Sequence, residues 1–250
     1  MGTCWSSRGL GSGGVVITPI LNVFRAPTDN DGFKLLPTKG DSWGIGGKAL
    51  TNWRKAGLDI AGNTGDVTWS CEQHESANGT ETHAVFTVPD SMADLARVGL
   101  LYEFDAAFTH WRWYGRGPHE NYPDRCASAM MGIYEGELDE LPYVVPQEFG
   151  LRMDCRWIEL IDLVNDRRVR IEGIEGCMFH ASATRHTPAQ LYAAADITEL
   201  QRNDSVVVCI DAAHRGVGTA SCGPDVLPQY RIVVGEYRLD VVQTNWLSKN

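Results

Sequence analysis

The side chains of this chain that are best suited to chemistry are carboxylates. Enzymes that hydrolyse glycosidic bonds use two of them, about 5 Å apart in retaining enzymes and about 6.5–9.5 Å apart in inverting ones. The candidates for such a pair are Glu120, Asp124, Glu148, Asp154 and Glu159. The chain holds 32 acidic residues, and their spacing selects no pair from them. The sequence therefore assigns no catalytic residue, and ordinary surface roles for these carboxylates stay open.

Aromatic and hydrogen-bonding side chains, which commonly bind ligands, are densest in residues 113–125. This segment holds three aromatic residues, two glycines and two prolines among charged side chains. Because proline removes an amide donor and glycine loosens the backbone, the composition predicts a rigid loop rather than a helix or strand. Aromatic rings that alternate with hydrogen-bonding groups suit a polar ring such as a sugar. A structural loop that buries its polar groups against a neighbour is the alternative.

Metal and thiol chemistry are poorly supported by the sequence. Residues 29–32 (DNDG) resemble the start of a calcium loop, but Thr38 stands where an EF-hand requires glutamate, so a turn or a ligand-facing loop is favoured. Cys126, Cys155 and His119 could form a thiol site, although cysteine more often packs as a small buried group. We therefore predict no metal site and no cofactor in this chain.

Composition limits the compartment and the partners. The net charge of −10 argues against nucleic acid and anionic membranes, which attract basic surfaces. Seven cysteines without a C-x-x-C pattern predict free thiols in a reducing cytoplasm rather than a disulfide framework. The sequence contains no run of 18 apolar residues, the length that a membrane-spanning helix requires. The expectation is a cytoplasmic protein.

The elements that must position these side chains read as β-strands. About a dozen short segments alternate apolar and polar residues and are separated by Gly, Pro, Asn and Asp clusters. Two short helices are predicted, at 48–57 with Gly57 as its C-terminal stop and at 188–195. Residues 1–14 read as a flexible lead-in, and residues 15–250 as one all-β domain, a large antiparallel sandwich with long loops.

Five motifs in order resemble one family. They are FRAPTDND (24–31), WRKAG (53–57), YGRGPHENYPDR (114–125), PYVVPQE (142–148), and RGVG (215–218) followed by SCGP (221–224). Together they resemble, over roughly residues 20–245, the C-terminal or small-chain domain of family 2 glycoside hydrolase β-galactosidases. The resemblance implies a large antiparallel β-supersandwich, the fold shared with galactose mutarotases.

The resemblance also implies a function. In that family two glutamates on a (β/α)8 barrel hydrolyse β-D-galactosides such as lactose, and the small-chain domain closes one wall of the pocket. The barrel, together with any Mg or Na ion, lies outside this chain. The expected partners are therefore a β-galactoside or galactose and a barrel-bearing chain or domain, in an oligomer.

Candidate substrate-binding residues follow from the matched motifs. Cys222 stands where some members place a tryptophan against the sugar, so it is expected near the pocket. The loop at 25–31 is expected near the barrel interface, and residues 116–121 are expected to anchor the central loop. The full set is Arg25, Asp29, Asn30, Asp31, Arg116, His119, Glu120, Asn121, Cys222, Gly223 and Pro224.

Two other functions stay open at this stage. A stand-alone carbohydrate-binding module would bind galactose or lactose without any partner. An aldose 1-epimerase would need a general acid and a general base at the sugar ring, typically histidine and glutamate. The sequence does not place such a pair, since His180, His186 and His214 favour structural or surface roles.

Overall fold

Two β-sheets make up nearly all of the regular structure. The computed structural model describes residues 4–6, 19–35, 48–218 and 224–247. The strands are β1 (Cys4–Ser6), β2 (Ile20–Asn22), β3 (Thr68–Ser76), β4 (Gly79–Val88), β5 (Arg97–Asp105), β6 (His110–Gly117), β7 (Met130–Glu137), β8 (Arg152–Cys155), β9 (Trp157–Asp162), β10 (Arg167–Gly173), β11 (Phe179–Thr184), β12 (Ser205–His214) and β13 (Gly235–Leu247). Two short helices, α1 (Ala49–Lys55) and α2 (Pro188–Ala193), accompany them.

The sheets are antiparallel and face each other. One has eight strands in the order β1-β3-β4-β13-β10-β9-β6-β7, and the other has five in the order β2-β5-β12-β11-β8. Among the described strands only β1 and β3 pair in parallel. Strand β1 falls within the segment 1–14 that was read as a lead-in. The predicted all-β antiparallel sandwich is confirmed.

Alternating side chains explain how the sheets pack. In β4, Ala84, Phe86 and Val88 are buried, while the residues between them face outward. These side chains join one large apolar cluster with Leu100 of β5 and Phe179 of β11 from the opposite sheet. The sandwich core therefore lies between the two sheets, and loops at the ends of the strands remain available for a site.

The prediction of a loop over residues 113–125 is wrong at its start: the alternation of residues 109–114 predicts a strand, and the structure continues that strand through residues 115–117. Strand β6 continues to Gly117 and pairs in register with β7 throughout. Two glycines of this strand allow neighbouring groups to approach the backbone closely. A Cβ on Gly115 would lie 2.8 Å from the Cys155 sulfur, and one on Gly117 would lie 2.7 Å from the Tyr134 ring. Close neighbours, rather than a turn, account for glycine here.

Both predicted helices are present and shorter than predicted. Helix α1 ends before Gly57, whose φ of 71° suits glycine beyond a helix terminus. Helix α2 begins with a capping box in which the side chains of Thr187 and Gln190 bond each other's backbone amides. No helix of the described ranges has the length and apolarity to cross a membrane. A further strand predicted near residues 15–17 lies outside the described residues.

Candidate functional site

Arg25 ties three of the sequence motifs together inside the protein. Its guanidinium is fully buried and pairs with both carboxylate oxygens of Asp31, at 2.7 and 2.9 Å from Nη2. It also donates to the backbone carbonyls of Arg215 and Gly216, at 2.7 and 2.8 Å. Its charge lies 5.8 Å from the centre of the Trp53 ring. Motifs that lie up to 190 residues apart thus meet around one cation.

The two remaining motifs join the same region through single residues. The carboxylate of Asp124 accepts hydrogen bonds from the backbone amides of Val217 and Gly218, at 3.0 and 2.7 Å. The backbone amide of Glu148 donates to the carbonyl of Ala26 at 3.0 Å. The described residues of all five motifs therefore converge on one part of the sandwich, where loop residues meet Trp53 of helix α1.

A cleft opens where these loops meet. Its volume is about 540 Å³, which is in the range of small-molecule sites. Its lining is polar and acidic, with two tyrosine rings. The residues are Thr28, Asp29, Asn30, Glu120, Tyr122, Asp124, Arg125, Tyr143, Gln147, Glu148, Val217 and Gly218.

Three buried side chains of the cleft carry polar atoms without a hydrogen-bond partner. Asn30 is 2 % exposed, and neither its amide nitrogen nor its amide oxygen is paired. Tyr122 Oη and Glu148 Oε1 are likewise unpaired in residues that are 2 % and 5 % exposed. Because buried polar groups nearly always have partners, these unpaired atoms are available to a ligand or to ordered water. An amide, a hydroxyl and a carboxylate can together both donate to and accept from a polyhydroxylated molecule.

The charge state of this group is set by its neighbours. Although burial opposes ionisation, the Arg97 charge 3.5 Å away lowers the pKa of Glu148 below its usual value. Burial lowers the pKa of His214 to about 4. Burial also raises the pKa of Tyr122 well above its usual value. At neutral pH the site therefore presents a carboxylate, a neutral imidazole and a phenol hydroxyl.

Glu148 and His214 face each other beside the cleft. His214 Nε2 lies 3.7 Å from Glu148 Oε1, and neither atom has a hydrogen-bond partner. On the other side of the ring, Nδ1 lies 2.9 Å from the carbonyl of Arg215, which can only accept, and 3.4 Å from Arg25 Nη1, which can only donate. The tautomer of His214 therefore depends on which of these two contacts is made.

The predicted site residues that the structure describes fall into three groups: some line the cleft, some are buried and bonded within the protein, and some lie outside the lining. Asp29, Asn30 and Glu120 line the cleft. Arg25, Asp31 and Asn121 are buried, and the described contacts engage them with protein groups. Asn121, for example, accepts from the Met153 amide at 3.0 Å and donates to the carbonyl of His119 at 2.9 Å.

The other predicted residues lie outside the lining. Arg116 pairs with Asp154 at 2.5 Å on the strand surface, and His119 is exposed beside Ser128. Pro224 is exposed and does not line the cleft. Cys222 and Gly223 lie outside the described residues. Gly218, which lines the cleft, is the last described residue before them.

All five candidate carboxylates have cations or amides as partners. Glu120 accepts from the Gly150 amide at 2.8 Å and pairs with Arg125, Asp124 holds two amides, Asp154 pairs with Arg116, and Glu159 lies 3.3–3.4 Å from Arg112 and Arg170. Glu148 lies 3.5 Å from Arg97, and its buried Oε1 has no hydrogen-bond partner. The thiol alternative finds no support either, since burial raises the pKa of Cys155 far above its usual value.

Sequence reasoning missed the residues that complete the site. Tyr122 was seen only as part of the central segment, and His214 was assigned a structural or surface role. The signal that could have found them is their position within, or directly before, a matched motif. His214 and Glu148 lie 3.7 Å apart, but both side chains are buried and His214 is not among the residues that line the cleft, so the acid and base that an epimerase would require at a sugar ring stay unplaced.

Gly218 should be sensitive to the smallest side chain. It adopts a φ of 81°, and a Cβ there would overlap the Asn30 amide. We expect Gly218→Ala to lower the free energy of unfolding by about 1–3 kcal/mol, because a non-glycine residue is strained in this conformation. Urea denaturation would measure the change. Gly136→Ala, whose Cβ would meet open space, is the matched control, and an equal loss in both variants would contradict the explanation.

The fold and the cleft define an antiparallel β-sandwich with a polar, loop-built site at one end. Residues 5–242 match the family described as β-galactosidase small chain, and the chain therefore belongs to this family.

Individual relatives agree with this assignment. A β-galactosidase of Vibrio cholerae is 39 % identical over 147 residues, covering 58 % of this chain and 13 % of that protein. One from Arthrobacter sp. strain B7 is 29 % identical over 257 residues, covering 87 % and 25 %. One from Pseudoalteromonas haloplanktis is 27 % identical over 264 residues, covering 94 % and 24 %. The chain spans a quarter or less of the length of these relatives.

Proposed function

We propose that this chain is the small-chain part of a β-galactosidase and completes a substrate site whose catalytic carboxylates lie on another domain or chain. The observation that carries the proposal is that the candidate carboxylates of this chain are paired with other groups of the protein. Each of the five candidate carboxylates has an arginine or a backbone amide as a partner, and no two of these five stand out as a catalytic pair. The chain matches a quarter or less of the length of each relative, which supports the proposal that the catalytic residues lie on another domain or chain.

The substrate class follows from the relatives and the chemistry of the cleft. The relatives are β-galactosidases, so terminal β-D-galactosides such as lactose are the proposed substrates. Asn30, Tyr122 and Glu148 offer the donors and acceptors that a sugar's hydroxyl groups require. In this proposal the chain contributes a polar wall and the partner supplies the general acid and the nucleophile or base.

The proposal is tested with a chromogenic β-galactoside. The purified chain alone is expected to show no turnover above buffer. Mixed with a relative's β-galactosidase truncated before its matching region, it is expected to restore activity. The contrary result is robust turnover by the chain alone that a single change such as Glu148→Gln abolishes, because the catalytic pair would then lie in this chain.

A second candidate function is carbohydrate binding that needs no partner. The three buried, unpaired side chains of the cleft favour it, since they are positioned by this chain alone. This function and the first are separable, because binding can be present or absent whether or not a partner restores hydrolysis.

A further inference from the structure

A second cluster of metal-ligating side chains lies on the outer face of the eight-stranded sheet. His74 of β3 stands directly opposite Glu81 of β4, and His83 lies two residues further along β4. Burial alternates in β4, with Thr82 and Ala84 inward, so Glu81 and His83 share the outer face. The register of two paired strands, rather than a loop, therefore positions this cluster, which none of the family motifs includes.

The three side chains converge on one point. Glu81 Oε2 lies 3.1 Å from His74 Nε2 and 3.7 Å from His83 Nε2. One ligand atom from each residue falls within 4.8 Å of the others. The two imidazole rings stack at 5.2 Å with 15° between their planes. All three side chains are partly exposed, His74 at 53 %, Glu81 at 22 % and His83 at 37 %, so an ion can reach them from solvent.

Asp240 supplies an independent indication. It lies opposite His83 on the neighbouring strand β13, and its Oδ1 is 2.7 Å from His83 Nδ1. In the neutral form of His83, a carboxylate in this position accepts a hydrogen bond from Nδ1–H and leaves the Nε2 lone pair on the side of Glu81. Carboxylate–histidine pairs of this kind orient the ligands of zinc sites.

We propose that His74, Glu81 and His83 bind one zinc ion, with Asp240 as a positioning residue and water at the remaining coordination position. Two imidazole nitrogens and one carboxylate oxygen are ligands that zinc prefers, at about 2.0–2.2 Å. A bound ion would link β3 to β4 near the edge of the sheet, where β1 is the one described strand that lies further out. The proposal is independent of the cleft and its ligand.

Calorimetric titration of the full chain with zinc chloride tests the proposal. We expect about one ion per chain, and no binding of magnesium at the same concentrations, because magnesium prefers oxygen ligands. His74→Ala and His83→Ala should each weaken zinc binding at least tenfold. Asp240→Asn should weaken it about tenfold or more, as expected for a group that orients a ligand. His110→Ala, on another strand, is the matched control and should bind as the unchanged chain does.

Two further measurements keep the outcome decisive. Thermal unfolding in metal-free buffer checks that the variants, all at partly exposed positions, remain folded. Cobalt(II) then reports the ligands, because thiolate coordination by the chain's cysteines would add a sulfur-to-metal charge-transfer band that nitrogen and oxygen ligands do not produce. Absence of zinc binding, binding unchanged in both histidine variants, or a thiolate band would each overturn the proposal.

Discussion

Replacing Arg25 by alanine is expected to lower the free energy of unfolding by about 3–5 kcal/mol, the range for breaking a buried ion pair. The guanidinium is fully buried against Asp31 and also donates to two backbone carbonyls. Its removal would leave the carbonyls of Arg215 and Gly216 without this donor, and Asp31 with Arg215 as its remaining cation at 3.0 Å. Urea denaturation followed by tryptophan fluorescence would measure the loss.

Two variants make this experiment quantitative. Arg25→Lys keeps the charge but cannot form the forked bond to both oxygens of Asp31, so it should also lose stability and still permit measurement if the alanine variant fails to fold. Arg238→Ala is the control: its side chain is 66 % exposed and pairs with Glu236, and such pairs contribute about 0–1 kcal/mol. Equal effects of Arg25→Ala and Arg238→Ala would show that Arg25 does not hold the motifs together.

Removing the unpaired polar groups of the cleft is expected to weaken galactose or lactose binding by about tenfold or more. An unsatisfied buried hydrogen-bonding group costs about 1–3 kcal/mol, and about 1.4 kcal/mol corresponds to tenfold in affinity. Asn30→Ala deletes a donor and an acceptor. Glu148→Gln keeps the shape of the side chain but removes the charge that would accept a sugar hydroxyl. Calorimetry or ligand-observed NMR at millimolar sugar would measure both affinities.

The design separates binding from folding. Glu137→Gln, at an exposed acidic position at the end of β7, is the control and should bind sugar unchanged. Urea denaturation of each variant shows whether the cleft is still formed, which matters because Glu148 also faces Arg97. Absence of sugar binding by the unchanged chain would exclude the partner-independent function, and the restoration assay would still test the small-chain proposal.

Secondary structure and family could largely be predicted from the sequence, because both depend on local patterns. Alternation of apolar residues, as in β4, predicts strands wherever one face is buried. Residues 115–117 of the strand were mistaken for a loop because the glycines there make room for a close neighbour, Cys155 or Tyr134, that the sequence does not reveal. Local composition cannot distinguish a glycine needed for a turn from one needed for space.

The sequence by itself determined the all-β architecture and five motifs that belong to one family. Only the tertiary structure decided which polar residues are paired within the protein and which keep unpaired polar atoms. Asp31 and Asn30 are neighbours in one motif, yet Asp31 is held by Arg25 and Arg215 while both amide atoms of Asn30 are unpaired. The physical reason is that the choice depends on partners such as Arg215, almost two hundred residues away. Only folding brings those charges together and buries them.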